Sequence, residues 1–329
     1  MEAKLLIKSD LPQLQNFNNR IYPDKLIPSD RYLNFWLQRN DDAYNHCIVI
    51  KDEEGKIYGQ VFSTEMSYFL KGDLIKSVWG FDLIVEEQLR KDNWGIDLLL
   101  KYIDMYPNAC ATGIGPQALP IHKKLGSKPL GEIRKYVEIV NPLSMFTSLF
   151  RGNVKAEKFP ASVSVNGKTF RKLSREEMPE LTKPYNDNLF EIARNKEFLQ
   201  WRYFNDLHSY AFYRDEQSDD FFVVRTTIQK YITVMLLVDY RCDMSDAKAF
   251  ENIYQAAKKV MSKLHIGMLI AGSSLKVVDD VLEKHGCKSV GRPRPVMGMA
   301  IVKEFKERIE NREFLLTTFA DSDGETNWI

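Results

Sequence analysis

The sequence has few features of a secreted, membrane-spanning or metal-binding protein. It contains no run of about 18 apolar residues, which excludes a membrane-spanning helix, and residues 1–8 include no signal-peptide core. Its five histidines show no metal-ligand spacing, and its four cysteines form no C-x-x-C pair. The cysteines are widely separated, at Cys47, Cys110, Cys242 and Cys287. We therefore expect a protein of the reducing cytoplasm that binds no metal.

The chain also lacks an excess of charge of either sign. Lys and Arg total 46 against 45 Asp and Glu, which gives a formal net charge of +1. A protein that binds a phosphate backbone needs a basic face, so this balance argues against a nucleic-acid partner. Hydrophobic residues make up 44% of the chain, as in an ordinary globular protein, and a length of 329 residues suggests two domains.

What the sequence does contain is one internal repeat, with matching positions 160 to 167 residues apart. Trp36 and Trp201 lie in matching helical patterns. Gly126 and Gly286 follow matching later helices, where a left-handed C-cap residue is expected. The repeat predicts two similar domains in tandem.

Each half shows the same order of predicted elements. The first helix is expected from an early proline in a capped segment, at Pro12 in the first half and at Pro179 within residues 174–181 of the second. Hairpin-like strands follow, and then a long apolar strand, an amphipathic helix, a short strand and another helix. The long strands are expected at 77–85 and 232–239, and the amphipathic helices at 94–105 and 247–264. This order predicts an α+β (mixed α/β) fold, with a twisted mixed sheet flanked by helices in each half.

We expect an N-terminal domain over residues 1–150 and a C-terminal domain over residues 168–303. Residues 304–329 have the composition of a polar tail. Three acids of this tail could bind a cation or an acceptor amine, but we expect a solvated turn there. They are Asp321, Asp323 and Glu325.

The segment with the most chemical information joins the strand ending at Val85 to the helix beginning near Trp94. Gly95 lies in the first helical turn, where it leaves backbone N–H groups accessible, and Arg90 and Lys91 add positive charge. Unpaired N–H groups and the helix dipole attract anions at a helix N-terminus. The segment therefore predicts a diphosphate site, and a plain connection with a solvated basic loop is the alternative.

This segment resembles the signature of the GNAT (GCN5-related) acyl-CoA N-acyltransferases, which is Q/R-x-x-G-x-G/A after a strand. Arg90 and Gly95 match its first and last positions, and Asn93 replaces its first glycine. Asn tolerates a left-handed backbone better than most residues, although its side chain narrows the space for a phosphate. The resemblance implies that this loop holds the pyrophosphate of acetyl-CoA or another acyl-CoA. The implied binding residues are Arg90, Lys91, Asp92, Asn93, Trp94, Gly95 and Ile96.

The resemblance also implies roles on either side of the loop. A backbone N–H of the preceding strand, at Leu83, Ile84 or Val85, would polarise the thioester carbonyl. In the family's second motif, His122 takes the place of a Tyr and Gly115 that of an Asn. His122 would protonate the leaving thiolate as an imidazolium, and an ordinary histidine on the helix surface is the alternative.

Two carboxylates are candidates for the general base. Asp82 lies within the strand before the loop, and it points opposite to Leu83 if side chains alternate. Glu65 lies on the strand before that. The alternatives are a structural role for either residue and proton removal through water.

The second half resembles the same fold without the coenzyme loop. Residues 247–250 occupy the loop-to-helix position without a glycine, so we expect no second coenzyme site. The triplet Trp201-Arg202-Tyr203 resembles a W-R-Y element of tandem acyltransferase-like proteins found near polysaccharide genes. An amphipathic helix that docks aromatic side chains is the alternative.

Taken together, the resemblance implies an acyl-CoA-dependent acyltransferase. It would move an acetyl or other acyl group to a primary amine, or to a hydroxyl, and we favour an amino sugar or a polysaccharide precursor as acceptor. Two alternatives stay open. One is an aminoacyl transferase of the Fem type, against which the lack of basic excess argues. The other is a non-catalytic protein that binds acyl-CoA or acts as a scaffold.

Overall fold

The computed structural model describes residues 1–23, 29–37, 39, 46–149, 152–298 and 305–322. The chain divides into two compact units, and each is discontinuous in sequence. Unit 1 consists of Met1–Tyr68, Ile75–Leu130 and Pro295–Glu304, and unit 2 consists of Phe69–Leu74, Gly131–Arg294 and Phe305–Ile329. The predicted division into residues 1–150 and 168–303 stays a prediction. Residues 299–304 and 323–329, which the predicted C-terminal domain and tail include, lie outside the described residues.

The strands in chain order are β1 (Glu2–Leu5), β2 (Ile48–Lys51), β3 (Ile57–Leu70), β4 (Asp73–Val85), β5 (Cys110–Thr112), β6 (Lys128–Ile139), β7 (Ser162–Val165), β8 (Lys168–Lys172), β9 (Phe190–Ile192), β10 (Tyr210–Asp215), β11 (Phe221–Gln229), β12 (Ile232–Arg241), β13 (Met268–Ser273), β14 (Lys288–Gly298) and β15 (Leu315–Leu316). The α-helices are α1 (Leu11–Ile21), α2 (Ser29–Leu37), α3 (Trp94–Met105), α4 (Leu119–Lys124), α5 (Pro142–Thr147), α6 (Lys196–Tyr203), α7 (Ala247–Lys263), α8 (Lys276–Lys284) and α9 (Lys306–Glu310). Within the described residues, no helix is both long and apolar enough to span a bilayer.

Unit 1 is built on a mixed sheet in the order β1–β2–β3–β4–β5–β14. β1, β2 and β3 pair antiparallel, whereas β5 lies parallel to β4, because α3 connects the two strands. Leu98, Leu99 and Tyr102 form the buried face of α3, at the three- and four-residue spacing of an amphipathic helix. They pack with Ile48 and Ile50 of β2 in the core of the unit.

The last strand of unit 1 comes from the far end of the chain. Residues 296–298 of β14 pair antiparallel with residues 110–112 of β5. In unit 2, residues 134–139 of β6 pair antiparallel with residues 268–273 of β13. The two halves of the sequence thus each give a strand to the unit built mainly from the other half.

Unit 2 contains a sheet in the order β6–β13–β12–β11–β10–β8–β7, in which β12 and β13 are parallel. Helix α7 covers this sheet through a buried stripe at helical spacing, which includes Phe250, Ile253, Ala257 and Val260. Both units therefore consist of a mixed sheet flanked by helices, and the predicted fold class is confirmed.

Several predicted elements are confirmed in position. The helix expected at 94–105 is α3, and the one expected at 247–264 is α7. Gly126 and Gly286 follow α4 and α8 with φ of 99° and 85°, so both are left-handed C-cap residues.

The prediction of a helix at residues 174–181 is wrong. Glu177 accepts hydrogen bonds from the Ser174 N–H (2.8 Å) and from Arg171 Nη1 (2.7 Å), and these contacts hold a short turn. Pro179 disfavours the helical conformation of Met178 before it, so the turn does not extend into a helix.

The segment expected as a polar tail contains a buried stretch between residues 314 and 322. Asp321 is 4% exposed and pairs with Arg194 Nη2 at 2.7 Å, so the expectation of a solvated turn is wrong for this residue. Asp323 and Glu325 lie outside the described residues. The W-R-Y triplet helps to hold the segment, because the fully buried Arg202 donates to Ala320 O at 3.0 Å.

Candidate functional site

β4 extends well past its parallel neighbour. Trp79 pairs with Cys110 and Gly80 with Ala111. β5 ends one residue later, and the Gly113 N–H donates to Pro295 O at 3.1 Å, so the chain follows β14 there. Since β4 continues for five residues beyond Gly80, its carboxyl end extends beyond the register that pairs it with β5.

Helix α3 packs tightly on β4 at the point where this pairing stops. A Cβ on Gly80 would lie 2.5 Å from Tyr102 Oη, so any other residue there would force the buried Tyr102 ring to move. By strand alternation, Phe81 faces the other side of the sheet. Its ring lies 4.3 Å from that of Trp36 in α2, centroid to centroid. Up to Phe81, α3 therefore packs on one face of β4 and α2 packs on the other.

The regular conformation of β4 is interrupted at Asp82. Its φ is 52°, a left-handed value in the middle of a strand, so the alternation assumed for Asp82 and Leu83 does not hold. Two donors hold its carboxylate, Tyr22 Oη at 2.5 Å and Gln60 Nε2 at 2.7 Å. The buried Gln60 accepts in turn from Asn18 Nδ2 at 2.9 Å. A polar network thus fixes the side chain of the candidate base.

The connection from β4 to α3 is a short 3-10 helix, Glu87–Asp92, rather than an irregular loop. The buried Glu86 anchors its start. The Glu86 N–H donates to Tyr58 O at 2.9 Å, and Glu86 Oε1 accepts from Arg20 Nε at 2.8 Å. These bonds tie the connection to β3 and to α1, so its position relative to the strand end is well defined.

The charged residues expected beside a diphosphate lie on this 3-10 helix. Arg90 Nε donates to Val85 O at 3.0 Å, which places its guanidinium at the end of β4. Lys91 and Asp92 are exposed. Two cations and one carboxylate therefore precede α3, and one of the cations is anchored to the strand.

Within the part of the chain that the structure describes, helix α3 begins with unpaired backbone donors. Asn93 has φ 64°, the left-handed conformation expected for it, and its side chain makes no capping bond. The first helical bonds run to Asn93 O from the N–H groups of Ile96 (2.7 Å) and Asp97 (3.2 Å). The N–H groups of Trp94 and Gly95 therefore have no acceptor in the part of the chain that the structure describes. Unpaired N–H groups and the helix dipole both favour an anion at such a helix start.

The corresponding helix of unit 2 begins with a filled cap. The Asp246 side chain accepts from the Lys248 N–H at 2.9 Å at the start of α7. A carboxylate in this position repels a phosphate and uses a donor that a phosphate would need. By contrast, a Cβ on Gly95 would meet only Val85 Cγ2, at 3.9 Å. This difference gives a physical reason for expecting a coenzyme site in the first half alone, which stays a prediction.

The other candidate base, Glu65, lies apart from Asp82. Gln60 of β3 contacts Asp82. Glu65 is five residues further along the same strand, so its backbone lies roughly 17 Å from that of Gln60. Glu65 Oε1 pairs with His46 Nε2 at 3.1 Å, and His46 Nδ1 lies 3.1 Å from Tyr106 Oη. Burial raises the pKa of Tyr106 to about 12, so its phenol is neutral at pH 7. The structure does not bring the two candidate bases together.

His122 is buried in α4, with 7% of its surface exposed, so the alternative of a surface histidine is wrong. Burial lowers the pKa of its imidazole to about 4. At pH 7 only about one ring in a thousand is protonated at such a pKa. The imidazolium that the resemblance implies as proton donor is therefore the minor form.

Sequence reasoning missed the residues that support Asp82 and Glu86. Tyr22 and Arg20 lie at the end of α1, outside any motif. Asn18 and Gln60 carried a weak signal, because each is a polar residue within an apolar pattern and each is almost fully buried. A buried polar side chain needs a partner, so such positions point to a network without identifying its other members.

Comparison with models of protein families finds no match, and neither does comparison with curated protein sequences. Solved structures do match. A GCN5-related N-acetyltransferase from Anabaena variabilis superposes with a TM-score of 0.59 at 13% identity, over 90% of this chain and 71% of that one. A GCN5-related N-acetyltransferase from Kribbella flavida gives a TM-score of 0.58 at 10% identity, over 90% of this chain and 70% of that one.

Saccharomyces cerevisiae N-myristoyltransferase with bound myristoyl-CoA matches with a TM-score of 0.61 at 19% identity, over 92% of this chain and 79% of that one. These identities are low, and the likeness concerns the arrangement of the elements. The chain thus has the fold shared by GCN5-related N-acetyltransferases and N-myristoyltransferase.

Proposed function

We propose that the protein transfers an acyl group from coenzyme A to a primary amine. The observation that carries the proposal is the start of α3, where the N–H groups of Trp94 and Gly95, beside Arg90 and Lys91, have no acceptor among the described residues. The fold supports an acyl-CoA ligand in general, since the yeast N-myristoyltransferase structures contain myristoyl-CoA.

In this proposal the pyrophosphate lies at the N-terminus of α3. The N–H groups of Trp94 and Gly95 donate to its oxygens, and Lys91 supplies a mobile positive charge. Ile96 contributes packing only, because its N–H is bonded to Asn93 O. The Asp92 carboxylate opposes the ligand's charge and weakens its binding.

The pantetheine arm would then follow the end of β4 that extends past β5. The amine nitrogen attacks the thioester carbonyl carbon, and a backbone N–H within residues 83–85 stabilises the oxyanion. The tetrahedral intermediate expels the coenzyme thiolate as the C–S bond breaks. Asp82 or a water molecule takes the proton of the amine, and solvent protonates the thiolate. His122, neutral at pH 7, would offer only an N–H hydrogen bond to the sulfur.

The acceptor that we favour is an amino sugar or another polysaccharide precursor. Its support is the resemblance of residues 201–203 to an element of proteins found near polysaccharide genes. The net charge of +1 agrees with a small acceptor, since nothing in it favours a polyanion.

A second candidate is a protein that binds acyl-CoA without turnover. Two observations favour it: the Asn93 side chain stands where the family signature has glycine, and His122 lacks the proton that the family's acid supplies. This candidate shares the coenzyme site and differs only in the chemistry.

The test is calorimetric titration of the whole protein with acetyl-CoA. We expect binding of one ligand per chain, and we expect Gly95→Asp to weaken it by at least roughly tenfold, because the new carboxylate faces the phosphates. Gly95→Ala is the matched control, since a Cβ fits at this position and adds no charge. No heat and no thermal shift at millimolar ligand would overturn the proposal.

An assay for released thiol with a panel of amines, including glucosamine, then separates the two candidates. Thiol release that depends on an amine supports acyl transfer. Binding without release from any amine supports the non-catalytic protein.

A further inference from the structure

Unit 2 exposes a group of large apolar side chains around α5, here called the apolar tip. Leu143 and Phe146 are 74% and 72% exposed, and Tyr231, in the hairpin between β11 and β12, is 71% exposed. The apolar tip comprises Ile139, Val140, Leu143, Phe146, Leu149 and Tyr231. Most exposed apolar residues in proteins occur singly, so a group of six is informative.

Backbone contacts join these residues into one surface. Leu149 forms a β-bridge with Ile232, next to Tyr231, and the Thr233 N–H donates to Ser148 O at 3.1 Å. On the other side, the Val140 N–H donates to Gly267 O at 2.9 Å. α5, the β11–β12 turn and the turn before β13 are therefore fastened together.

The turn that carries Tyr231 is strained. Lys230 and Tyr231 have φ of 48° and 72°, and they are the two central residues of a two-residue hairpin loop. Such loops favour Asn-Gly, because other side chains crowd the backbone at positive φ. The chain thus keeps a lysine and a tyrosine at an exposed position where Asn-Gly would be more stable, which points to a role for the two side chains.

The chain segments that form the apolar tip carry no acidic side chain. Residues 139–149, 229–233 and 262–268 contain no Asp or Glu. Lys230 is exposed in the same turn as Tyr231, whereas the exposed Lys263 donates from Nζ to Ser162 O at 3.3 Å. An apolar surface that carries a lysine and no acidic side chain is complementary to an anionic, partly apolar surface.

We propose that the apolar tip docks this protein on an anionic lipid bilayer. Leu143 and Phe146 would enter the boundary between headgroups and acyl chains, where aromatic residues such as Tyr231 are favoured. Lys230 would lie against the lipid phosphates. A second copy of the chain is the less suitable occupant, because a two-fold interface would bring the lysines of both copies together. The inference is independent of acyl transfer.

The first experiment is flotation of the whole protein with vesicles of phosphatidylcholine alone and with 30% phosphatidylserine. We expect binding to the anionic vesicles that weakens as salt rises, and at least roughly tenfold weaker binding for the double variant Leu143→Ser, Phe146→Ser. Leu100→Ser is the matched control, because Leu100 is 48% exposed in α3 of unit 1 and should bind as wild type. Failure of the wild type to float with anionic vesicles would overturn the proposal.

The second experiment replaces the strained turn by the double variant Lys230→Asn, Tyr231→Gly. The favoured turn should raise the thermal midpoint, whereas loss of the lysine and the aromatic ring should weaken vesicle binding by about fivefold or more. A gain in stability with a loss of binding cannot arise from misfolding. Unchanged vesicle binding would contradict the proposal.

Light scattering of the wild type at micromolar concentration tests the alternative that a second copy of the chain covers the apolar tip. A dimer that the Leu143→Ser, Phe146→Ser variant loses would assign the apolar tip to self-association and overturn the lipid proposal. A monomer in both cases agrees with it.

Discussion

Tyr22 donates a 2.5 Å hydrogen bond to Asp82, the one residue of β4 with a left-handed backbone. Gln60 donates to the other carboxylate oxygen at 2.7 Å. With one donor on each oxygen, the carboxylate keeps a second lone pair on each oxygen and can still accept a proton. The same two bonds fix Asp82 where β4 extends past β5. Asp82 can therefore serve as a base, as a residue that shapes the strand, or as both.

The variant Asp82→Asn separates these roles. As our first candidate for general base, Asp82 should supply roughly 10²–10⁴-fold of the rate, so kcat should fall by that factor. The KM for acetyl-CoA should change by less than about threefold, because the loop that would hold the coenzyme is untouched. Steady-state kinetics with thiol detection measure both constants.

Tyr22→Phe is the control for Asp82→Asn, since it removes one hydrogen bond and leaves the carboxylate. It should keep most of the activity. Equal losses of kcat in the two variants would mean that Asp82 acts by shaping β4.

The variant Asn93→Gly should bind acetyl-CoA several-fold more tightly. Glycine adopts the left-handed conformation of this position without the penalty of about 1 kcal/mol that an L side chain carries, and it clears the space beside the N–H groups of Trp94 and Gly95. Calorimetry gives the affinity and thermal unfolding gives the stability, which should not fall. Unchanged affinity would show that the Asn93 side chain does not obstruct the ligand.

Protonation of His122 should make the protein less stable in mild acid. Its pKa is lowered from 6.5 to about 4 by burial, so the unfolded chain binds a proton before the folded one does as pH falls. Stability is therefore full above pH 6.5 and is lost as pH falls toward 4, by about 2 kcal/mol at pH 5.

Urea unfolding at pH 7.5 and pH 5.0 measures this loss. The variant His122→Gln cannot titrate, so its free energy of unfolding should change by about 2 kcal/mol less than that of the wild type over the same interval. An identical pH dependence in the two proteins would contradict the prediction.

Arg194 should be among the residues of unit 2 most sensitive to substitution. Its buried guanidinium pairs with Asp239 at 2.9 Å and with Asp321 at 2.7 Å, and burial raises the pKa of Asp321 even so. Arg194→Met leaves two buried carboxylates without a counter-charge and should lower the free energy of unfolding by about 3–5 kcal/mol. Adding Asp321→Asn should recover part of the loss. Urea unfolding measures both, and no recovery would show that Asp321 contributes little.

The sequence predicts those parts of the fold and site that local signals specify. α3 is found at its predicted bounds, because Asn93 marks its start and apolar residues recur at helical spacing within it. The 174–181 segment has capping residues without such a stripe, and it forms no helix. The connection between β4 and α3 is located for the same reason, since its strand, its glycine and its cations lie within a few residues of one another, while its role in holding a phosphate stays a prediction.

Features that depend on distant residues could not be predicted. Asp321 is buried because Arg194, 127 positions earlier in the chain, neutralises it. The support of Asp82 depends on Tyr22 and Gln60, 60 and 22 positions away. No periodicity in the sequence reveals such pairings, because they arise only when the sheet brings separate segments together.

The pairing of β5 with β14 has a consequence for synthesis on the ribosome. β5 has been made when Thr112 is added, but its antiparallel partner is complete only at Gly298, about 190 residues later. At 5–20 residues per second this interval lasts roughly 10 to 40 seconds. For that time one edge of β5 is open, and an open strand edge is a template for aggregation. The nascent chain should therefore depend on protection by chaperones. A ribosome that stalls between Thr112 and Gly298 leaves the sheet of unit 1 without β14.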